Sequence, residues 1–135
     1  MFVDASALVA ILLEEEGFER LAETIDASDD CTTSPIAIWE TVVRLRSLLH
    51  LEAGEVSDIV SAYCEIGRVK LVAIGSEETT WALDAFDRFG KGRHPARLNM
   101  GNCFAYGCAR AHERTLLFVG NDFSQTDIQP ALATN

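Results

Sequence analysis

The sequence predicts an α/β fold: one domain with a central parallel sheet of about four to five strands flanked by helices. Three observations predict it. Four short apolar or β-branched runs alternate with helix-like segments, which implies parallel pairing with helices on both faces. The chain has 135 residues, 48% of them apolar and 24% charged, which fits one globular domain with its own core. No internal repeat and no low-complexity linker divides it.

Met1 to Val3 reads as the first strand, ended by Asp4. Asp4 or Ser6 can cap a helix through Leu8, Val9, Ile11 and Leu12. After Gly17, the acidic stretch Glu19–Ala27 reads as a second helix with Leu21, Ala22 and Ile25 inward. Cys31–Thr33 is β-branched and short, a second strand. Ser34 followed by Pro35 is a strong helix start. In that helix Ile38, Val42, Leu45 and Leu49 define a buried face. Ile36, Glu40 and Val43 lie roughly opposite, so the helix is expected to be covered twice.

Ala53–Ile66 reads as a further helix, stopped by Gly67. Val69–Ile74 is a β-type run. Ser76 is expected to cap a helix with Glu77 and Glu78 in its first turn, where negative charge suits the helix dipole. That helix ends near Phe89 and Gly90, before a basic loop from Lys91 to Arg97. Asn99 can cap a helix containing Asn102, Tyr106 and Arg110. Leu116–Val119 reads as the last strand, followed by Gly120, Asn121, Asp122 and Phe123. The domain is expected over 1–135, with a short tail from about 129.

Several classes drop out on composition. No apolar run approaches the ~20 residues that span a bilayer, so no membrane association is expected. Met1–Asp4 lacks a basic n-region, so no secretory signal is expected. Cys31, Cys64, Cys103 and Cys108 form no Cys-x-x-Cys pair and only three histidines are present, which disfavours a zinc site or a disulfide framework. The expected compartment is a reducing cytoplasm. A net charge of −10 excludes nucleic-acid binding through bulk charge. The charge is uneven, however: Lys91, Arg93 and Arg97 lie in a segment without acids, which suits local phosphate contact.

The chemistry concentrates at strand ends. Asp4 ends the first strand and Asp122 follows the last. With both strands central, the two carboxylates converge beyond the C-terminal edge of the sheet, where open parallel sheets bind ligands. Glu40 projects from the helix after the second strand, and Asn102 from the first turn of the helix before the last. Clustered carboxylates repel, and a hard cation relieves that repulsion. Mg²⁺ or Mn²⁺ so held can orient water against a phosphodiester. A phosphate-accepting signalling domain of flavodoxin type is set aside, because Val72–Gly75 supplies no acid at the end of the third strand.

Four pieces of the chain carry a resemblance. They are Met-Phe-Val-Asp4-Ala-Ser-Ala, Thr-Ser-Pro-Ile-Ala-Ile-Trp-Glu40, Asn99-Met-Gly-Asn102-Cys-Phe-Ala-Tyr106 after the basic loop, and Leu-Leu-Phe-Val-Gly-Asn-Asp122-Phe. In this order and spacing the chain resembles the PIN-domain ribonucleases, and within them the VapC-type toxins of toxin–antitoxin pairs. The resemblance implies a Mg²⁺- or Mn²⁺-dependent endoribonuclease that cleaves tRNA or rRNA, homodimerises, and is neutralised by a small cognate antitoxin in a hetero-oligomer. It places Asp4, Glu40, Asn102 and Asp122 as catalytic and metal-binding positions. Asn121 is the alternative to Asp122, and Ser6 supports the first acid or a bound water. Lys91, Arg93 and Arg97 become RNA contacts.

Asn102 departs from the family pattern, which has Asp there. Asn keeps an oxygen donor without the charge. The alternative reading is therefore a PIN-like module that binds antitoxin or RNA without cleaving. Bland roles stand beside these: Asp4 as a helix cap, Glu40 paired with Arg44 at i,i+4, Asn102 as a helix-start residue, and Asp122 as a turn residue. His94 reads as a loop residue, Tyr106 as core, and Trp39 and Trp81 as packing or dimer contacts. An antitoxin is expected to insert a basic side chain near Asp4, Glu40 and Asp122. The apolar helix faces of residues 35–66 are expected to carry the dimer or antitoxin groove.

Overall fold

The structure, a computed structural model, describes residues 1–133. In chain order the elements are β1 (Phe2–Val3), α1 (Ala5–Leu12), α2 (Phe18–Asp26), β2 (Cys31–Thr33), α3 (Pro35–Leu49), α4 (Ala53–Ile66), β3 (Val69–Leu71), α5 (Ser76–Phe89), α6 (Met100–Ala111) and β4 (Leu116–Leu117). The strands form one parallel sheet in the order β3-β2-β1-β4. Phe2 sits opposite both Thr32 and Leu116, and Val3 opposite Leu117.

Side chains alternate across this sheet, as the two-residue period requires. Phe2 and Leu116 pack with Ala85, Phe89 and Tyr106 of α5 and α6. Val3 and Leu117 pack with Leu8, Leu21 and Ile25 of α1 and α2 on the other face. A third cluster joins Val9, Leu45, Val56 and Val60 of α1, α3 and α4. β1, β2 and β4 are buried on both faces and their residues are accordingly apolar or β-branched, whereas β3, at the opposite end of the sheet from β4, exposes Lys70 and Leu71.

Three helix starts follow from their caps. Asp4 caps α1 by accepting from the Ser6 amide, Ser34 caps α3 by accepting from Ala37 with Pro35 behind it, and Asn99 caps α6. The α5 start differs from expectation. Gly75, not Ser76, is the N-cap, and the Glu78 carboxylate takes the Gly75 amide at 3.3 Å. An acceptor three residues into the helix thus supplies what the Ser76 hydroxyl was expected to supply.

The α3 face is also corrected. Ala37, Thr41 and Leu45 are buried, Ile38 and Val42 half-buried, while Val43 and Leu49 are 44% and 41% exposed. At 15 residues α3 is about 22 Å long, whereas strands of two or three residues rise only about 7–10 Å, so its last turn overhangs the core. Ala22 is half-buried rather than inward.

β4 is shorter than expected and lies at the end of the sheet rather than centrally. The Val119 amide leaves the ladder because it donates to the Ser6 hydroxyl at 3.0 Å. Beyond β4, the segment expected as a tail is held in place. Leu116 pairs with Pro130, its amide donating to Gln129 and its carbonyl accepting from Ala131. Asp127 accepts from the Tyr106 hydroxyl and from Arg88, both at 2.8 Å. No helix among the described residues is long and apolar enough to cross a membrane.

Candidate active site

Parallel pairing of β1 with β4 brings Asp4 and Asp122 to the same edge of the sheet. There a cleft of about 400 Å³ is lined by Asp4, Glu40, Asn102 and Asp122, together with Ser6, Glu15, Arg44 and Asn99. Four loci spread over nearly 120 residues of sequence therefore face one space.

Asp4 is 5% exposed and serves two purposes. Its carboxylate accepts from the Ser6 amide at 3.1 Å and from the Ser6 hydroxyl. The same hydroxyl accepts from Val119, so Ser6 ties Asp4 to the end of β4. Burial pushes the Asp4 carboxyl above its ordinary range; the Ser6 bonds oppose this, and the charge of Asp122 adds to it. Capping and cleft lining coexist in this residue.

Glu40 is half-buried, and burial first, then the Asp4 charge, push its carboxyl up to about 7. No ion pair with Arg44 forms, although Arg44 stands one turn further along α3 and lines the same cleft. The Glu40 carboxylate instead rests on Gly101 in the first turn of α6. A Cβ at 101 would overlap it, so only glycine leaves the space that the carboxylate fills.

Asn102 forms a reciprocal cap with Asn99. Its Oδ1 accepts from the Asn99 amide at 3.1 Å, while its own amide donates to Asn99 Oδ1 at 2.9 Å. An amide oxygen has two lone pairs, so this bond leaves the Asn102 oxygen able to accept one more.

The remaining predicted residues separate. Asp122 lines the acidic cleft, whereas Asn121 lines only a neighbouring pocket. Lys91 and Arg97 line that pocket with Asn121 and Gln125. Arg93 does not join them; its guanidinium stacks over Phe86 at 5.2 Å from the ring centroid. His94 accepts the Ala96 amide within its own loop, and Tyr106 is fully buried. Trp39 is 62% exposed, and Trp81 is half-buried under Arg110.

Sequence reasoning missed Glu15, Gly101 and Gln125 as neighbours of the site and gave Arg44 only as an ion-pair partner of Glu40. Arg44 carried a signal in its i+4 spacing from Glu40. Gly101 and Gln125 carried none, because their relation to the site depends on contacts between distant segments.

The donors around the cleft are carboxylate and amide oxygens, with Asp4 buried and, among the described residues, without a cationic partner. Among the described residues no three His, Cys, Asp or Glu side chains form a ready-made cation cage. This donor set suits a hard divalent ion that keeps several waters, as Mg²⁺ does, and does not suit zinc.

Fold and site together define an α/β domain with an acidic cleft at the C-terminal edge of its sheet. The PIN-domain family model matches residues 1–129, and the chain belongs to that family. It is 40% identical to a VapC ribonuclease of Rhizobium meliloti (strain 1021), over 94% of this chain and 98% of that protein. It is 36% identical to ribonuclease VapC30 of Mycobacterium tuberculosis (strain H37Rv), over 95% of each. In fold it is similar to the crystal structure of M. tuberculosis VapC20, a sarcin-ricin loop cleaving toxin. The TM-score is 0.72 at 14% identity, covering 94% of this chain and 95% of that one.

Proposed function

We propose that this protein is an endoribonuclease toxin of a toxin–antitoxin pair, dependent on Mg²⁺ or Mn²⁺ and acting on tRNA or rRNA. The observation that carries the reading is the convergence of Asp4, Glu40, Asn102 and Asp122 on one cleft. The ribonuclease names of relatives 33–40% identical to the chain support it.

Asp4, Glu40 and Asp122, with the Asn102 amide oxygen, would hold the cation. The bound ion would supply charge neutralisation and a polarised water for attack on a phosphodiester. The chain's own residues do the rest. Ser6 fixes the orientation of Asp4 and, through Val119, its distance from the β4 end. Gly101 lets the Glu40 carboxylate sit at the cleft wall. Arg44, unpaired among the described residues, offers a cation to a phosphate group.

Charge also supports a cognate antitoxin. Carboxylates that bind a divalent ion also accept a guanidinium, so an inserted Arg or Lys would block the cleft. Apolar residues stand exposed on α3 and α4, with Trp39 at 62% and Ile66 at 82%, and these faces are the proposed surfaces for homodimer or antitoxin contact.

A second reading rests on Asn102. With a neutral amide at position 102, where the family pattern has a carboxylate, and its oxygen already engaged by Asn99, cation binding is weakened. On that reading the domain binds RNA or antitoxin without cutting. Cleavage of an RNA panel by wild type and Asn102→Asp, in Mn²⁺ and in EDTA, separates the two. Cutting by wild type only with metal supports the nuclease. Cutting by Asn102→Asp alone supports the silenced form, and cutting by both in EDTA refutes the metal site.

A further inference from the structure

We propose that the pocket beside the acidic cleft, lined by Lys91, Arg97, Asn121 and Gln125, seats the nucleotide next to the scissile phosphate of the RNA. The proposal deepens the nuclease reading and rests on it. The pocket is an open depression of about 410 Å³. That lies within the roughly 300–1,000 Å³ of small-molecule sites. It shares Asn99 and Asp122 with the acidic cleft, so a strand leaving the carboxylates enters it directly.

Its chemistry is that of a nucleotide site. Neither Lys91 nor Arg97 has an ion-pair partner among the described residues, in a chain of net charge −10. Other arginines nearby are engaged: Arg88 with Asp84 and Asp127, Arg93 over Phe86, and Arg110 over Trp81. Two free cations in an acidic protein, beside a cleft suited to a divalent ion, match a phosphodiester backbone.

The primary amides of Asn121 and Gln125 each present donor and acceptor together. That is the combination needed for the edge of an unpaired base. Pro95 and buried Ala96 give an apolar surface on which the base can lie. Arg97 holds a left-handed backbone, φ 54°, in the turn that its amide closes on the His94 carbonyl. The cations thus position the backbone and the amides discriminate the base.

The test uses the full chain in EDTA, where metal-dependent cleavage is off. Adenosine, guanosine, cytidine and uridine 5′-monophosphates are titrated against the ¹⁵N-labelled protein, with inorganic phosphate and hexaglutamate as controls. Binding of a fluorescein-labelled single-stranded RNA is followed against salt. We expect amide shifts at 91–97 and 121–125, with one base binding more tightly than the rest. Gln125→Ala should remove that preference. Lys91→Ala with Arg97→Asn should flatten the salt slope by about 1.4, at roughly 0.7 per phosphate contact on a single strand; asparagine tolerates the backbone at 97.

Shifts elsewhere, equal shifts from phosphate alone, or an unchanged salt slope overturn the pocket. Hexaglutamate shifting the pocket as strongly as nucleotides assigns it to an acidic protein and overturns it too. RNA cleavage in Mn²⁺ is measured in parallel. Cleavage with variants of unaltered slope refutes the pocket alone. No cleavage by wild type or Asn102→Asp, with nucleotides still seated, refutes the nuclease reading and leaves a nucleotide-binding pocket.

Discussion

Glu40→Gln should stabilise the metal-free protein at pH 8 and abolish its stabilisation by Mn²⁺. Burial and the Asp4 charge move the Glu40 carboxyl from 4.5 to about 7 in the folded state. A carboxyl whose folded value is raised binds its proton more tightly when folded. Its ionised form therefore destabilises the fold, fully above pH 7 and not at all well below pH 4.5. At about 1.36 kcal/mol per pH unit, the displacement corresponds to roughly 3 kcal/mol. Glu40 is only half-buried and fronts an open cleft, so screening reduces this to about 1–2 kcal/mol. Glutamine keeps the shape and removes the charge.

For a chain of this length about 1 kcal/mol moves Tm by roughly 3–5 °C. The variant should melt about 3–10 °C above wild type at pH 8 in EDTA, with the gap nearly closed at pH 4.5. Millimolar Mn²⁺ should raise the wild-type Tm and leave the variant almost unmoved. Differential scanning fluorimetry across pH, with and without Mn²⁺, reads all of this. A variant less stable than wild type at pH 8, or a gain equal at both pH values, refutes the electrostatic account of the cleft.

Three other expectations follow from the same geometry. Gly101→Ala should fold, because the Glu40 side chain can swing aside, but should lose the Mn²⁺-induced rise in Tm; an unaltered rise means Glu40 does not hold the ion. Gly107→Ala should cost about 1–3 kcal/mol in urea denaturation. A Cβ there would stand 2.5 Å from the Glu78 carbonyl oxygen and 2.8 Å from the Ala82 nitrogen, where α5 and α6 touch. An unshifted midpoint would show that this contact yields freely. Asp127→Asn should lower Tm at pH 7 but match wild type once the pH has fallen through the depressed folded-state value of the carboxyl. Burial alone would raise this carboxyl, but bonds from Arg88 and Tyr106 outweigh it and hold it below its ordinary value of 3.8. Its stabilisation is thus present above pH 3.8 and lost as pH falls through the lower folded value; a Tm difference that persists in acid contradicts this.

Much of the architecture was legible because it is local. Ser34 and Pro35 announce α3, Asn99 announces α6, and a carboxylate straight after β1 both caps α1 and faces the sheet edge. Each of these is a hydrogen bond or a fixed dihedral within four residues, so sequence spacing encodes it. Gly75 at the α5 start was missed because Glu78 replaces an expected hydroxyl from within the helix. The overhanging end of α3 was missed because helical periodicity marks a face but not how far the core extends beneath it.

By itself the sequence determined the alternation of strands and helices, the order of the acidic positions and the neutral residue at 102. Only the tertiary structure decided that β4 lies beside β1 at the end of the sheet, so that Asp122 reaches Asp4's cleft while Asn121 turns to the next pocket. It decided that Lys91 and Arg97 line that pocket while Arg93 folds onto Phe86. It also decided that the carboxylate of Glu40 occupies the place of a side chain at Gly101. These outcomes depend on contacts between residues far apart in the chain, whose geometry is set by packing the whole core and leaves no periodic mark in the sequence.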